Sequence, residues 1–261
     1  MIIYSFIGAL KNLSDRGLLQ DLEEISCSST GALLGMFYVL AKGDIERVFS
    51  ISIEAPLADV AKPEIRCLIE KFGLINADRF EKLFARYAKE LTGGVDPTFA
   101  QLYEYNPIKL HIPTYDLVTG KTVYMSVDTT PNVRVSHAVR RSISVPIIMS
   151  PAQKRYVDGS FVERSPYAPF LGKPRSEILE IRFRGTTKSE EDDVLPKKKT
   201  FVQYLYGLVM ALLNVRTEYL DFPRLDVYSD VEIFNFSIPL EKKLQMYLDG
   251  YAQADQKVQC F

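Results

Sequence analysis

The 261-residue chain predicts an α/β fold with a mainly parallel central sheet flanked by helices. Three observations carry that reading. Helix-period and strand-period stretches alternate along the chain, as βαβ units do. An apolar strand at 22–27 breaks on small residues and runs directly into an apolar helix at 30–41. A second short strand ends at Asp158-Gly159, a turn pair that leaves a carboxylate at the strand end.

In order, residues 1–13 set Ile3, Phe6, Ile7, Leu10 and Leu13 at helical spacing, with Gly17 as a stop. The strand at 22–27 and the helix at 30–41 follow, the helix ended by Gly43. From 44 to 94 the pattern is mostly helical. Ile45, Val48 and Phe49 share one face; Ile65, Leu68, Ile69 and Phe72 share another. Asn76-Ala77-Asp78 can cap a third helix carrying Phe80, Leu83, Phe84 and Tyr87, and all these stripes are expected to face the core. A short helix is expected at 98–103. From Ile108 the period becomes two, with Leu110, Ile112 and Thr114 alternating with Lys109, His111 and Pro113. Thr119-Gly120-Lys121 and then 123–127 complete a strand, turn and second strand, in which His111 reads as structural rather than as a base.

A helix is expected at 135–144, stopped by Val145-Pro146, and a strand at 178–183. Residues 185–200 are charged and poor in apolar side chains, the pattern of a surface loop. An apolar helix at 201–215, a last strand at 231–238 and a closing helix at 241–253 finish the chain. The expected organisation is one domain over 1–261, with a core at about 1–184, the charged loop at about 185–200 and a helix-strand-helix at about 201–258.

Composition narrows the function. Lys and Arg number 32 against 33 Asp and Glu, a net charge of −1, so no nucleic-acid partner is expected. Cys27, Cys67 and Cys260 are odd in number and widely spaced; they suit a reducing compartment and form neither a disulfide framework nor a zinc site. His111 and His137 are the only histidines, and no carboxylate cluster accompanies them, so neither a metal nor a cofactor is expected. Residues 1–7 are too short for a signal peptide, and the 201–215 run falls short of the roughly 18–20 residues that span a bilayer. The chain end places Cys260 next to last, outside the prenylation pattern. The expected location is the cytoplasm, or a host-cell cytoplasm, peripheral to membranes.

Two stretches carry chemistry. The run Cys27-Ser28-Ser29-Thr30-Gly31 has the form of a nucleophile elbow, in which a serine sits on a strained strand-to-helix turn. Small residues are needed there because the backbone passes close to the helix, whose N-terminus favours developing negative charge. The same Ser-Ser-Thr-Gly is also an ordinary helix N-cap. Asp158-Gly159-Ser160 is either a plain hairpin turn or an exposed acid. No histidine follows Asp158, so the Ser-acid-His order of α/β-hydrolases is unavailable. If Ser29 is a nucleophile, its economical base is a carboxylate acting directly.

Taken together, Cys27–Leu33 and Val157–Ser160, about 130 residues apart, resemble the patatin-like phospholipase family. That family places its serine in G-x-S-x-G and its aspartate in D-G-G or D-G-A. Residues 7–13 resemble its first helix, and 138–146 the helix before its aspartate strand; the likeness runs from about 7 to about 183. The resemblance implies a three-layer α/β fold and hydrolysis of acyl esters of phospholipids or other acyl lipids by a Ser–Asp dyad without a cofactor. It makes Ser29 the nucleophile and Asp158 the general base, with Gly31 opening the elbow turn and Gly159 shaping the aspartate turn. Cys27 stands in place of the elbow's first glycine, and Ser160 in place of the last residue of D-G-G.

A further departure sets the alternative. The family's glycine-rich oxyanion loop lies just before its first helix, and no glycine-rich segment precedes Gly8 here. Losing one oxyanion donor costs about 2.7–4 kcal/mol. The Thr30 N–H would then be the remaining donor. The alternative expectation is a weak or inactive relative that binds lipid or a partner in the same crevice; for the hydrolase, the helices around the site and the 185–200 loop are expected to form an acyl pocket and a lid.

Overall fold

The computed structural model describes residues 2–161, 163, 165–185, 222–231 and 234–258. Helix α1 (Ile3–Asp15) precedes strand β1 (Glu24–Ser26), which turns into α2 (Thr30–Leu40). Then come α3 (Ile45–Glu54), α4 (Leu57–Val60), α5 (Ile65–Lys71), β2 (Gly73–Ile75), α6 (Asp78–Thr92) and α7 (Phe99–Tyr105). The hairpin β3 (Lys109–Asp116) and β4 (Lys121–Met125) leads to α8 (Val135–Ser142), β5 (Ile147–Met149) and β6 (Tyr156–Asp158). Strands β7 (Glu180–Gly185) and β8 (Arg224–Ser229) and helix α9 (Leu240–Val258) follow. All but Gly185 of the charged loop expected at about 185–200, and the whole apolar helix expected at 201–215, lie outside the described residues.

Helix α2 is the centre of the core. Every residue from 32 to 40 is buried, and a helix that is apolar all round belongs inside a protein rather than on its surface. Helix α6 lays Phe80, Leu83, Phe84 and Tyr87 against this core as its spacing requires. Thr98 and Gln101 close a reciprocal capping box on α7.

Helix α5 departs from its pattern. Ile65 and Ile69 are 72% and 71% exposed and Phe72 is 54% exposed, while the buried side chain is Cys67. The seven-residue helix is oriented by the strand after it. Phe72 turns the chain through the left-handed region at φ 64°. Gly73 then lies so close to Ser150 that an added Cβ would fall 2.2 Å from the Ser150 nitrogen. That contact seats β2 parallel to β5, Gly73 opposite Ile147 and Ile75 opposite Met149. Neither three-residue strand is long enough to show a period, so the sequence pattern did not reveal them.

The fold is α/β, and three of the five strand pairings among the described residues are parallel. The sheet at the centre is mixed. β1 runs parallel to β3, whereas β4 and β6 run antiparallel to it. The alternation read for β3 does not become an inside and an outside, because Leu110 to Thr114 are all buried; both faces of a covered strand are interior. His111 is buried against Glu24, as a structural residue.

The last strand lies at Arg224–Ser229 and not at 231–238, where the described residues form no strand. β8 pairs with β7 along six positions, from Glu180 opposite Arg224 to Gly185 opposite Ser229, and buries Leu225 and Val227 with Ala9, Leu13 and Ala254. The segment expected to be a strand instead uses aromatic side chains as a cover. The Phe236 ring lies 5.7 Å from that of Phe80.

Helices α1 and α9 cross at two glycines. A Cβ on Gly8 would lie 1.9 Å from the Tyr247 carbonyl oxygen, and one on Gly250 2.0 Å from that of Ser5. Only backbone can approach this closely. In a helix interior Gly→Ala ordinarily stabilises by about 1 kcal/mol. Gly250→Ala is expected to reverse that sign and destabilise by about 2 kcal/mol or more through overpacking against backbone, measured by urea unfolding.

Candidate active site

One edge of β3 brings the two chemical stretches together. β1 pairs with Lys109 to His111 on that edge, and β6 with Thr114 to Asp116, running the opposite way. Their carboxyl ends therefore point at each other across the span from His111 to Thr114, about 10 Å of extended chain. Residues two apart in a strand address the same edge. The His111 carbonyl accepts from the Cys27 N–H there, so Pro113, which lacks an N–H, faces the gap where no strand pairs. Gly159 fills the gap from the other side; an added Cβ would lie 2.6 Å from the Pro113 oxygen.

Ser29 sits at φ 55°, ψ −125° between β1 and α2. A non-glycine residue at such an angle carries about 1–3 kcal/mol of strain. The Ser29 side chain makes no cap hydrogen bond to α2, so the ordinary N-cap reading does not describe it. Its N–H donates to the Ser142 hydroxyl at 3.1 Å. The next amides satisfy the turn, Gly31 to the Ser28 carbonyl at 2.9 Å and Ala32 to that of Ser29 at 3.0 Å. The Thr30 N–H has no partner among the described residues. Cys27, where the motif has glycine, fits because α2 carries Gly35 beside it: a Cβ on Gly35 would lie 2.6 Å from the Cys27 sulfur. Burial pushes the Cys27 thiol up to about 12, far from a reactive thiolate.

Asp158 ends β6 almost fully buried. Its N–H donates to the Ser144 carbonyl at 3.0 Å. Its Oδ1 accepts from the Ser160 N–H at 2.9 Å and the Ser160 hydroxyl at 2.7 Å. Its Oδ2 is buried without a hydrogen-bond partner. Burial pushes the carboxyl up to about 6, and the Ser29 hydroxyl, Ser160 hydroxyl and Ser160 N–H each pull it partly back down. Of these three groups, only the Ser29 hydroxyl comes from outside the aspartate turn.

The end of α8 serves both halves, which the sequence reading of 138–146 did not foresee. Ser142 holds the elbow and Ser144 holds the aspartate strand. Arg140, itself buried, fixes this turn by donating to the Ser144 hydroxyl at 2.6 Å and to Asp78 at 2.9 Å. An arginine on the helix face that carries Ser136 and Val139 was the available signal; its partner Asp78 lies 62 residues away in the chain.

Ser29 and Asp158 open into one cavity of about 360 Å³. Its walls are largely apolar, with Ile2 and Phe6 from the N-terminal segment, Tyr167 and Phe170, Ile178, Leu179, Ile181 and Phe183, and Phe222 and Phe234. One side is polar, where Arg182 donates to Glu180 at 2.6 Å and to Ser165 at 2.8 Å. Neither histidine lines it: His111 pairs with Glu24, and His137 with Glu81 at 2.9 Å. No cluster among the described residues offers three or more metal-ligating side chains. No helix among them is long and apolar enough to cross a membrane.

An uncharacterized protein of Acanthamoeba polyphaga mimivirus, R571, is 25% identical over 98% of this chain and 89% of its own length. The crystal structure of VipD from Legionella pneumophila matches with a TM-score of 0.67 at 14% identity, over 99% of this chain and 65% of that one. The type III effector protein ExoU, of Pseudomonas aeruginosa, matches with a TM-score of 0.54 at 15% identity, over 98% and 50%. These two likenesses are of fold, and the chain spans about two thirds and half of those proteins. The family model of patatin-like phospholipase matches residues 3–171, which contain both strand ends, the elbow and the aspartate turn. The chain belongs to the patatin-like phospholipase family, a family of lipid hydrolases.

Proposed function

We propose that this protein cleaves acyl ester bonds of phospholipids or other acyl lipids with Ser29 as nucleophile and Asp158 as general base. One observation carries the reading: Asp158, whose Oδ2 is buried without a hydrogen-bond partner, lines the same largely apolar cavity as the strained Ser29. Asp158 takes the Ser29 proton as the hydroxyl oxygen attacks the ester carbonyl. The carbonyl oxygen becomes an oxyanion, toward which the free Thr30 N–H and the N-terminus of α2 supply positive potential. Collapse of the tetrahedral intermediate breaks the ester C–O bond, and Asp158 returns the proton to the leaving alcohol. Water, deprotonated by the same carboxylate, then attacks the acyl-enzyme carbonyl; collapse releases the fatty acid, and Asp158 returns the proton to the Ser29 oxygen. A carboxyl titrating near 6 is a base matched to neutral pH.

The apolar walls supply an acyl-chain site, and lipid is reached from a peripheral membrane surface. The fold relation to ExoU, named as a type III effector, supports action in a host-cell cytoplasm as part of the same proposal. A second reading, lipid or partner binding without turnover, draws on how few free amides the elbow offers an oxyanion among the described residues.

A fluorophosphonate probe is expected to label wild-type protein at Ser29, mapped by mass spectrometry, and Asp158→Asn is expected to abolish that labelling. Ser29→Ala is expected to lower fatty-acid release from phosphatidylcholine vesicles by at least about a thousandfold. Equal rates for wild type and Ser29→Ala would sink the dyad, and saturable vesicle binding without turnover would favour the second reading.

The same carboxyl predicts a stability change. Its folded pKa, about 6, lies above the ordinary 3.8. The folded state therefore keeps a proton that the unfolded chain has lost. Stability falls as pH rises from about 3.8 to 6, and the cost is fully present above that window. Asp158→Asn removes the charge, so it is expected to melt higher than wild type at pH 7–8 by an amount on the order of 1–3 kcal/mol. The gain should shrink through pH 6 and vanish below about 4, followed by thermal unfolding across pH.

A further inference from the structure

We infer that Ser160 is a positioning residue for the dyad, holding Oδ1 of Asp158 with two donors so that Oδ2 stays open toward Ser29. The inference rests on the dyad reading above. A carboxylate that takes a proton from a hydroxyl must present one oxygen with a free lone pair along the line of transfer. An aspartate side chain does not do this by itself, because its terminal torsion is broad and roughly two-fold. Unheld, the carboxylate can turn to satisfy either oxygen.

Here the two oxygens have different surroundings. Oδ1 receives the Ser160 N–H at 2.9 Å and the Ser160 hydroxyl at 2.7 Å. Oδ2 receives neither and is buried without a partner. The backbone beneath is fixed independently. Asp158 stands opposite Thr114 in the β3–β6 ladder, its N–H is held by the Ser144 carbonyl, and Gly159 is wedged on Pro113. What remains adjustable is the carboxylate's rotation, and the Ser160 pair removes that freedom. Glycine or alanine, the residues that end the motif this turn resembles, would leave the N–H and lose the hydroxyl. Both Ser160 donors also favour the charged carboxylate, which keeps Asp158 ionised nearer neutral pH than burial by itself would allow.

The test is the rate of fluorophosphonate labelling of the full chain from about pH 4.5 to about pH 9, for wild type, Ser160→Ala, Ser160→Gly and Ser160→Thr. Wild-type labelling should rise with pH and level off above about 6. Without the hydroxyl, in Ser160→Ala and Ser160→Gly, the rising limb should move up by about one pH unit and the plateau should fall about tenfold. Ser160→Thr, which keeps the hydroxyl, should restore both, and the melting temperatures report that each variant is folded. A purely structural role would lower the melting temperature and leave the limb in place. If Ser160→Ala keeps the wild-type limb and plateau while labelling still maps to Ser29, the inference is wrong and the dyad stands. Equal loss in Ser160→Ala and Ser160→Thr also overturns it, since the hydroxyl would then not be the cause. Labelling that survives Asp158→Asn, or that is absent from wild type, removes the dyad reading itself and this inference with it.

Discussion

Everything at the site depends on one edge of β3 being shared by two strands that approach from opposite directions. β1 stops at His111 and β6 at Thr114. The ladder could not continue through the gap, because Pro113 has no N–H to donate. That missing donor keeps the strands apart, and Gly159, lacking a side chain, lets the aspartate turn close down on the proline carbonyl. A serine three residues beyond one strand end and an aspartate at the other are thereby delivered to the same cavity, although about 130 residues separate them in the chain. The family match covers this whole arrangement.

The site costs the fold stability in two places. Ser29 is held at a positive φ, and Asp158 is a carboxyl taken almost entirely out of water. Neither arrangement is locally favourable, so both need outside support. The wholly buried α2 anchors the elbow from one side. The end of α8 grips it from the other, through the Ser142 hydroxyl, and the same turn holds the Asp158 N–H. Arg140 makes that turn rigid, its guanidinium spent on Ser144 and Asp78 instead of on solvent. Strain of this kind persists where surrounding structure over-determines it. Cys27 is a smaller instance: its side chain is tolerated because Gly35 leaves room one helix away.

Much of this was legible in residue order. The elbow from Cys27 to Gly31, the Asp158-Gly159 turn, the hairpin from β3 to β4 and the long amphipathic helices all announce themselves through spacing or small-residue runs. The misses share a cause. β2 and β5 are three-residue strands whose pairing is set by Gly73 against Ser150, and three residues carry no period. β8 was unforeseen, and the strand expected at 231–238 lies as an aromatic cover, because only β7 decides which neighbouring segment completes a ladder. The stripe on α5 read as core and is exposed, since the strand that follows orients so short a helix.

The sequence by itself determined the residue types on which the proposed chemistry rests: a serine on a small-residue turn before an apolar helix, an aspartate before glycine, and no histidine placed to mediate between them. Those are local facts, written in neighbouring side chains and backbone preferences. The tertiary structure decided that the two meet, which oxygen of Asp158 is occupied and which is open, and that Ser142, Ser144 and Arg140 belong to the site. These depend on strand register, on burial and on contacts between residues far apart in the chain. A hydroxyl at position 142 or 160 looks the same in sequence whether it faces water or holds a strained amide or a buried carboxylate; only packing assigns it a partner.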